Sequence, residues 1–280
     1  MGNKKILILS SIVPNLEGKG ATFIVNRCKV LSELYEIKVL SFNNYPSKMI
    51  KKLKYKTSIK REAIEFESFK WEFINEKISI FKIILKKVCL KSYFLFKYVK
   101  LKKYLDNSYD MIQSHFAFPD GYLALMIKNK FKIPYTVTCH GSDIHTLTKN
   151  RKIRKYVIKA LNEADKVFFV SEFLYEKAKE YGFRGENYKI TTNGVDANIF
   201  YKYSNKKELL EKYNLDEKNK IIGFIGNLEL VKGADRLVEI FKDIRKLSEN
   251  VEFIIVGDGS LREELENKLC GDIKVVYSRS

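Results

Sequence analysis

Short apolar runs alternate with segments of helical apolar spacing along most of the chain. Ile6–Leu9 is a continuous apolar run, the pattern of a strand buried on both faces. Ala21–Leu34 follows as a helix with Ile24, Cys28, Leu31 and Leu34 on one side, and Ile37–Phe42 is the next strand. From Tyr109 the alternation is regular. The strand YDMIQSHF leads to a helix over Tyr122–Lys130, IPYTVTCHG to one over Asn150–Asn162, KVFFVS to one over Glu172–Tyr181, and YKITTNGVD closes the series. Repeated strand–helix units predict an α/β protein with a parallel sheet covered on both faces. In such sheets ligands bind beyond the carboxyl ends of the strands. Those ends carry Ser114–His115, His140–Gly141–Ser142–Asp143, Ser171–Glu172 and Asn193–Gly194.

The segment 201–219 is polar and has no strand pattern, so it divides the chain into a first domain, 1–200, and a second α/β unit, 201–280. The second unit opens on Lys220–Gly233. Ile221, Ile222, Phe224 and Ile225 read as a buried strand, Gly226 as a turn, and Lys232–Gly233 as the loop before a helix. That helix spaces Leu237, Val238, Phe241, Ile244 and Leu247 along one face. A strand that ends in glycine and opens into a helix gathers bare backbone N–H groups and a positive helix end, a place for a phosphate. Lys232 adds a mobile positive charge. An ordinary βα loop with a surface lysine fits the same letters. Strand, glycine loop, helix also describes the amino terminus, where Gly18 and Gly20 follow the first strand without the GxGxxG spacing. That loop fits a phosphate, a sugar or a plain connection.

Charge changes the picture in one region. The 280 residues carry a formal net charge of +18. Residues 48–103 hold 17 Lys and Arg against 5 Asp and Glu. Interleaved with them are Phe66, Phe69, Trp71 and Phe73, then Ile80, Phe81, Ile84, Leu85, Val88, Phe94, Leu95 and Phe96. A basic helix with an apolar aromatic face suits an anionic membrane surface, whereas a helix packed on the sheet with its lysines in water explains the pattern equally simply. No helix-turn-helix, RNP motif or zinc finger accompanies the charge, so nucleic acid is not the expected partner. The cysteines Cys28, Cys89, Cys139 and Cys270 form no CxxC pair, which argues against a metal or disulfide framework and fits a reducing cytoplasm. No run of about 18 apolar residues occurs, so no spanning helix is expected.

Five motifs then occur in order: His140-Gly-Ser-Asp-Ile, Ser171-Glu-Phe, Asn193-Gly-Val-Asp, Gly226-Asn-Leu with Lys232-Gly, and Val256-Gly-Asp-Gly. Together they resemble the glycosyltransferase family 4 enzymes, which have the GT-B fold of two facing Rossmann-like domains. The resemblance implies one complete Rossmann-like acceptor-side domain followed by part of a second, nucleotide-sugar-binding one. It implies transfer of a sugar from a nucleotide-diphosphate sugar, with retention of anomeric configuration and with no metal or other cofactor. By the same resemblance His140 contacts the transferred sugar, and Gly226, Lys232, Gly18 and Gly20 stand near the donor phosphates. Gly141, Asp143, Ser171, Glu172, Asn193, Gly194 and Gly257 shape the cleft.

There are two departures. Many relatives carry Arg where this chain has Asn227, which removes one positive charge. The family's paired glutamates, seven residues apart, are expected beyond Ser280, and Glu263, Glu264 and Glu266 come too early to replace them. The expectation is a retaining glycosyltransferase acting on a surface polysaccharide or glycolipid at the cytoplasmic face of the membrane. The alternative is a truncated, weak or inactive module that binds an acceptor or a partner subunit.

Overall fold

The computed structural model describes residues 4–14, 21–46, 61, 63–78, 85–86, 88–106, 108–269 and 275–278. Gly18, Gly20 and much of the basic stretch 48–103 lie outside them. The chain forms two compact units, Met1–Val195 and Asp196–Ser280, so the boundary falls five residues before the expected one. Residues 191–209, which span it, are exposed throughout.

The first unit is built on a sheet of order β3-β4-β2-β1-β5-β6-β7-β8. Its strands are β1 Lys5–Ser10, β2 Glu36–Pro46, β3 Ala63–Glu65, β4 Lys70–Ile78, β5 Met111–His115, β6 Tyr135–Cys139, β7 Lys166–Phe169 and β8 Tyr188–Ile190. All pairs are parallel except β3 with β4. Helix Thr22–Ser32 covers one face through Ile24, Val25 and Cys28. Its expected contact Leu34 lies past the helix end and is 65% exposed. Helices Leu90–Lys102, Tyr122–Phe131, Arg151–Asn162 and Glu172–Glu180 pack on the other face around Leu7, Leu9, Ile112, Tyr135, Val137 and Phe169.

Within the stretch 48–103 the described residues follow more than one pattern. Phe69, just before β4, and Trp71 and Phe73 within it alternate with Lys70 and Glu72, a period-2 pattern, and are buried in the cluster that includes the helix Thr22–Ser32. Phe94 is fully buried on the opposite face of the sheet. The charges are not all outside either. Lys97 and Glu76 meet at 3.0 Å with side chains 3% exposed, and the ammonium lies 3.7 Å from the Phe42 ring centroid. Lys100 reaches the same carboxylate at 3.8 Å. Burial pulls the Lys97 pKa down, and Glu76 opposes that pull.

The second unit has a three-stranded parallel sheet, β11-β10-β9, formed by β9 Lys220–Ile225, β10 Val251–Val256 and β11 Val275–Ser278. Helices Leu237–Leu247 and Arg262–Leu269 cover the face carrying Phe224, Phe253 and Ile255. Exposure alternates along β9, because the helices cover only the face carrying Ile222 and Phe224: Ile221, on the other face, is 38% and Ile225 81% exposed, so the run is not the fully buried strand the sequence predicts. Leu247, at the helix end, is 86% exposed rather than in the core. Among the described residues no helix is long and apolar enough to cross a membrane.

Removing one partner of the buried ion pair leaves the other charge without compensation. Glu76→Ala is expected to cost about 3–5 kcal/mol, read as a lowered urea midpoint, whereas the double change Glu76→Leu with Lys97→Met recovers most of the loss.

Candidate active site

The carboxyl ends of the first unit's central strands are brought together by register. Ser10 of β1 is opposite His115 of β5, and His115 is opposite Thr138 of β6. A line of hydrogen bonds fixes this edge: Trp71 Nε1 donates to Ser41 Oγ at 2.8 Å, and Ser41 Oγ donates to the Ser10 carbonyl. Asp120, buried in the turn after β5, accepts from the Ser11 N–H at 2.7 Å. Burial pushes its carboxyl up to about 7.

Asp143 joins the turns after β5 and β6. One oxygen accepts from Ala117 N at 2.9 Å, and the other from His140 N at 3.2 Å and Gly141 N at 3.0 Å. Burial raises this carboxyl above its ordinary value, against the pull of those N–H groups. Gly141 has φ 136, a conformation that suits glycine and strains any other residue. Asp143 and Gly141 therefore set the turn that presents His140.

His140 packs between Phe23 and Phe116, with ring centroids at 4.6 and 4.9 Å. Its Nε2 is 2.9 Å from Nδ1 of the fully buried His115. The outer nitrogens, His115 Nε2 and His140 Nδ1, have no partner. Burial, with Arg27 nearby, pulls His140 down to about 4 and His115 well below its usual value, so both rings are neutral and one proton lies between them. If His140 donated it, an unpaired N–H would stand on the deeper ring, His115. If His115 donates, that N–H stands on His140, nearer the surface, which is the less costly arrangement. The unpaired N–H on His140 Nδ1 is enclosed by the protein. The sequence places His115 at a strand end but gives it no specific role. Its strand-end placement was legible, but its pairing depends on the β5–β6 register.

A cavity of about 400 Å³ beside Arg27, Gln113, Thr136 and Phe168 lies toward the amino ends of the same strands, as its lining by Lys4, Asp110 and Pro134 shows. It is not part of this edge. Ser171 precedes the helix Glu172–Glu180 and makes no side-chain capping bond, and Asn193 and Gly194 are exposed after β8.

In the second unit the turns after β9 and β10 are laced backbone to backbone. Gly226 N donates to Val256 O at 2.9 Å, and Leu228 N to Asp258 O at 2.9 Å. A Cβ on Gly257 (φ 148) would lie 1.9 Å from Gly226 O, and one on Gly259 2.4 Å from Leu228 O. No side chain fits at either position. The N–H of Gly226 is thus used within the protein and is not one of the bare donors the sequence predicts. Two 3₁₀ turns, Leu230–Lys232 and Ala234–Arg236, separate the strand from the helix Leu237–Leu247, and Lys232 projects exposed from the first. Glu229 binds Ser260 through its N–H at 3.0 Å and its hydroxyl at 2.6 Å, which holds the two loops together. Among the described residues no group of three or more His, Cys, Asp or Glu is placed to hold a metal ion.

The sequence profile of Glycosyltransferase Family 4 matches residues 63–199, and that of Glycosyl transferases group 1 matches 205–269. One falls on each side of the unit boundary, give or take a few residues. Both profiles are of glycosyltransferases, and together they match most of the chain. An uncharacterized glycosyltransferase of Methanocaldococcus jannaschii is 32% identical over 162 residues, covering 56% of this chain and 39% of that protein. A Bacillus subtilis glycosyltransferase named for teichuronic acid biosynthesis is 28% identical over 172 residues, covering 61% and 43%. The alpha-monoglucosyldiacylglycerol synthase of Streptococcus pneumoniae is 26% identical over 174 residues, covering 56% and 39%. The matches span about two fifths of the length of these relatives. Among solved structures, sucrose-phosphate synthase of Thermosynechococcus elongatus superposes with a TM-score of 0.68 at 13% identity, covering 99% of this chain and 70% of that one. Anabaena HepE in complex with UDP and glucose gives 0.62 at 15% identity, covering 99% and 70%. The architecture is that of the GT-B glycosyltransferases.

The neutral His140 has a measurable consequence. Folded, it takes its proton near pH 4, against an ordinary value of 6.5. Its contribution to stability is therefore complete above pH 6.5 and is lost as pH falls through 4, about 3 kcal/mol in all. Asp120 acts in the opposite sense, since a raised carboxyl loses its contribution as pH rises through about 7. Comparing the pH dependence of unfolding in the parent and in His140→Gln isolates the first effect. The acid-side loss is expected to be smaller in the variant.

Proposed function

We propose that this chain is the core of a retaining glycosyltransferase that takes its sugar from a nucleoside-diphosphate donor. The observation that carries the reading is the laced pair of βα turns at Gly226 and Gly257, with Lys232 exposed beside them, in a unit that matches the group 1 profile. In transfer the bond between the sugar's anomeric carbon and the diphosphate oxygen breaks. The acceptor oxygen bonds to that carbon on the same face, and negative charge develops on the departing diphosphate. Lys232 and the adjoining loop stabilise that charge, the work a divalent metal does elsewhere. The family resemblance gives His140 the sugar contact, and the carboxyl edge of the first unit, where it stands, holds the acceptor. A uridine donor is supported by the UDP in the HepE structure. A polysaccharide or glycolipid acceptor is supported by relatives named for teichuronic acid and monoglucosyldiacylglycerol synthesis. A nucleoside-diphosphate donor supports a reaction on the cytoplasmic side.

A second reading, a module that binds acceptor or partner without turnover, is favoured by the Gly226 N–H being spent on Val256 O rather than left bare for a phosphate. Calorimetric titration with UDP and GDP tests the donor site. Micromolar binding of one nucleotide, weakened at least tenfold by Lys232→Ala, is the expected result. A folded chain that binds neither would contradict the donor site and leave the second reading.

A further inference from the structure

We propose that the outer face of three adjoining helices in the first unit docks on an anionic lipid bilayer. The helices are Leu90–Lys102, Tyr122–Phe131 and Arg151–Asn162. They lie side by side on one face of the sheet, with Phe94, Tyr122 and Tyr156 in mutual contact at 4.6, 5.3 and 4.7 Å between centroids. None contains an Asp or a Glu. Lys91, Lys102, Lys130, Lys152, Lys155 and Lys159 are exposed on them, and among the described residues none has a carboxylate partner.

The arrangement is local and does not simply follow from a lysine-rich composition. On the next helix along the sheet, Glu172–Glu180, the lysines are matched by acids one turn away: Lys177 with Glu180 and Lys179 with Glu176. Helices of the second unit pair in the same way, Lys246 with Asp243 and Lys268 with Glu264. The carboxylates flanking the three helices, Asp106, Glu163 and Asp165, follow their carboxyl ends, and Asp165 is engaged by Lys128.

Charge alone would suit any polyanion. The apolar residues among the lysines select a bilayer. Leu95 is 56% exposed, Val99 54% and Phe96 39%, and they share the outer side of Leu90–Lys102, where Leu90, Phe94 and Leu101 hold the inner side to the core. A nucleic acid would leave Leu95 and Val99 in water. The interface of a membrane buries such side chains while anionic headgroups meet the lysines. This assignment revises the one read from residues 48–103. It moves the lipid contact away from the buried Phe69, Trp71 and Phe73 and extends it to two helices outside that stretch. It does not depend on the donor site, so nucleotide binding and vesicle binding succeed or fail separately.

Cosedimentation of the chain with phosphatidylcholine vesicles, and with vesicles that also contain phosphatidylglycerol, tests the proposal. Binding is expected only to the anionic vesicles and to weaken as salt is raised. The triple variant Lys91→Ser, Lys102→Ser, Lys155→Ser is expected to lower the partition about a hundredfold, at roughly a factor of five for each lysine. Leu95→Ser with Val99→Ser, both at exposed positions, is expected to lower it about tenfold. A control triple in the second unit, Lys206→Ser, Lys207→Ser, Lys218→Ser, should change it by a small factor only. An equal loss in the control would mean diffuse attraction of a basic protein and overturn the proposal. So would an unchanged partition in the Leu95/Val99 variant together with duplex DNA binding that falls with the first lysine triple, which would mark a nucleic-acid surface. Failure of the folded chain to bind anionic vesicles would overturn it as well.

Discussion

Parallel strand pairing is the constraint on which the candidate site depends. It sends the carboxyl ends of neighbouring strands to one edge, so residues far apart in sequence arrive together without any direct linkage. Register then decides which of them meet. Ser10, His115 and the residues around Thr138 are neighbours because β1, β5 and β6 pair as they do. A shift of one residue would turn His115 to the opposite face of the sheet. Much of the polar chemistry at this edge serves that register. Trp71, Ser41 and Ser10 are tied across three strands, Asp120 holds the end of β1, and Asp143 ties the turns that follow β5 and β6. Two of these carboxyls are buried at a real electrostatic cost, which their backbone N–H bonds offset only in part.

The second unit meets the same constraint with backbone rather than side chains. The approach of the turns at Gly226 and Gly257 leaves no room for a Cβ, and the hydrogen bonds between them use donors that the sequence pattern suggested would be free. What the loop offers to an anion is therefore the exposed Lys232 and the 3₁₀ turns that follow it, on a base held rigid by the glycines. Glu229 adds a side-chain tie to the neighbouring loop at Ser260.

How far the sequence could be read depended on the range of the interactions involved. Strand runs, helical spacing and the order of the motifs are local, and the elements of both units stand close to where the pattern puts them. Ile221 and Ile225 were misplaced because a continuous apolar run does not say whether both faces of its strand are covered. In the basic stretch 48–103 a charge count over a window ignores period. The alternation of Phe69, Trp71 and Phe73 was present in the letters, whereas the burial of Lys97 against Glu76, 21 residues away, was not. His115 belongs with Lys97. Its partner is set by sheet register, which no local pattern records. Gly18 and Gly20 lie outside the described residues, and their part in the donor site rests on the family resemblance.

The central claim is that a nucleoside diphosphate sits at the carboxyl ends of β9 and β10. The measurement that tests it most directly is the change in backbone amide chemical shifts of the isotope-labelled chain as UDP is added. The account predicts shifts concentrated at Asn227, Lys232 and Gly233 and in the facing turn at Gly257–Gly259. Shifts confined to other parts of the chain, or none from a folded protein at millimolar nucleotide, would contradict it.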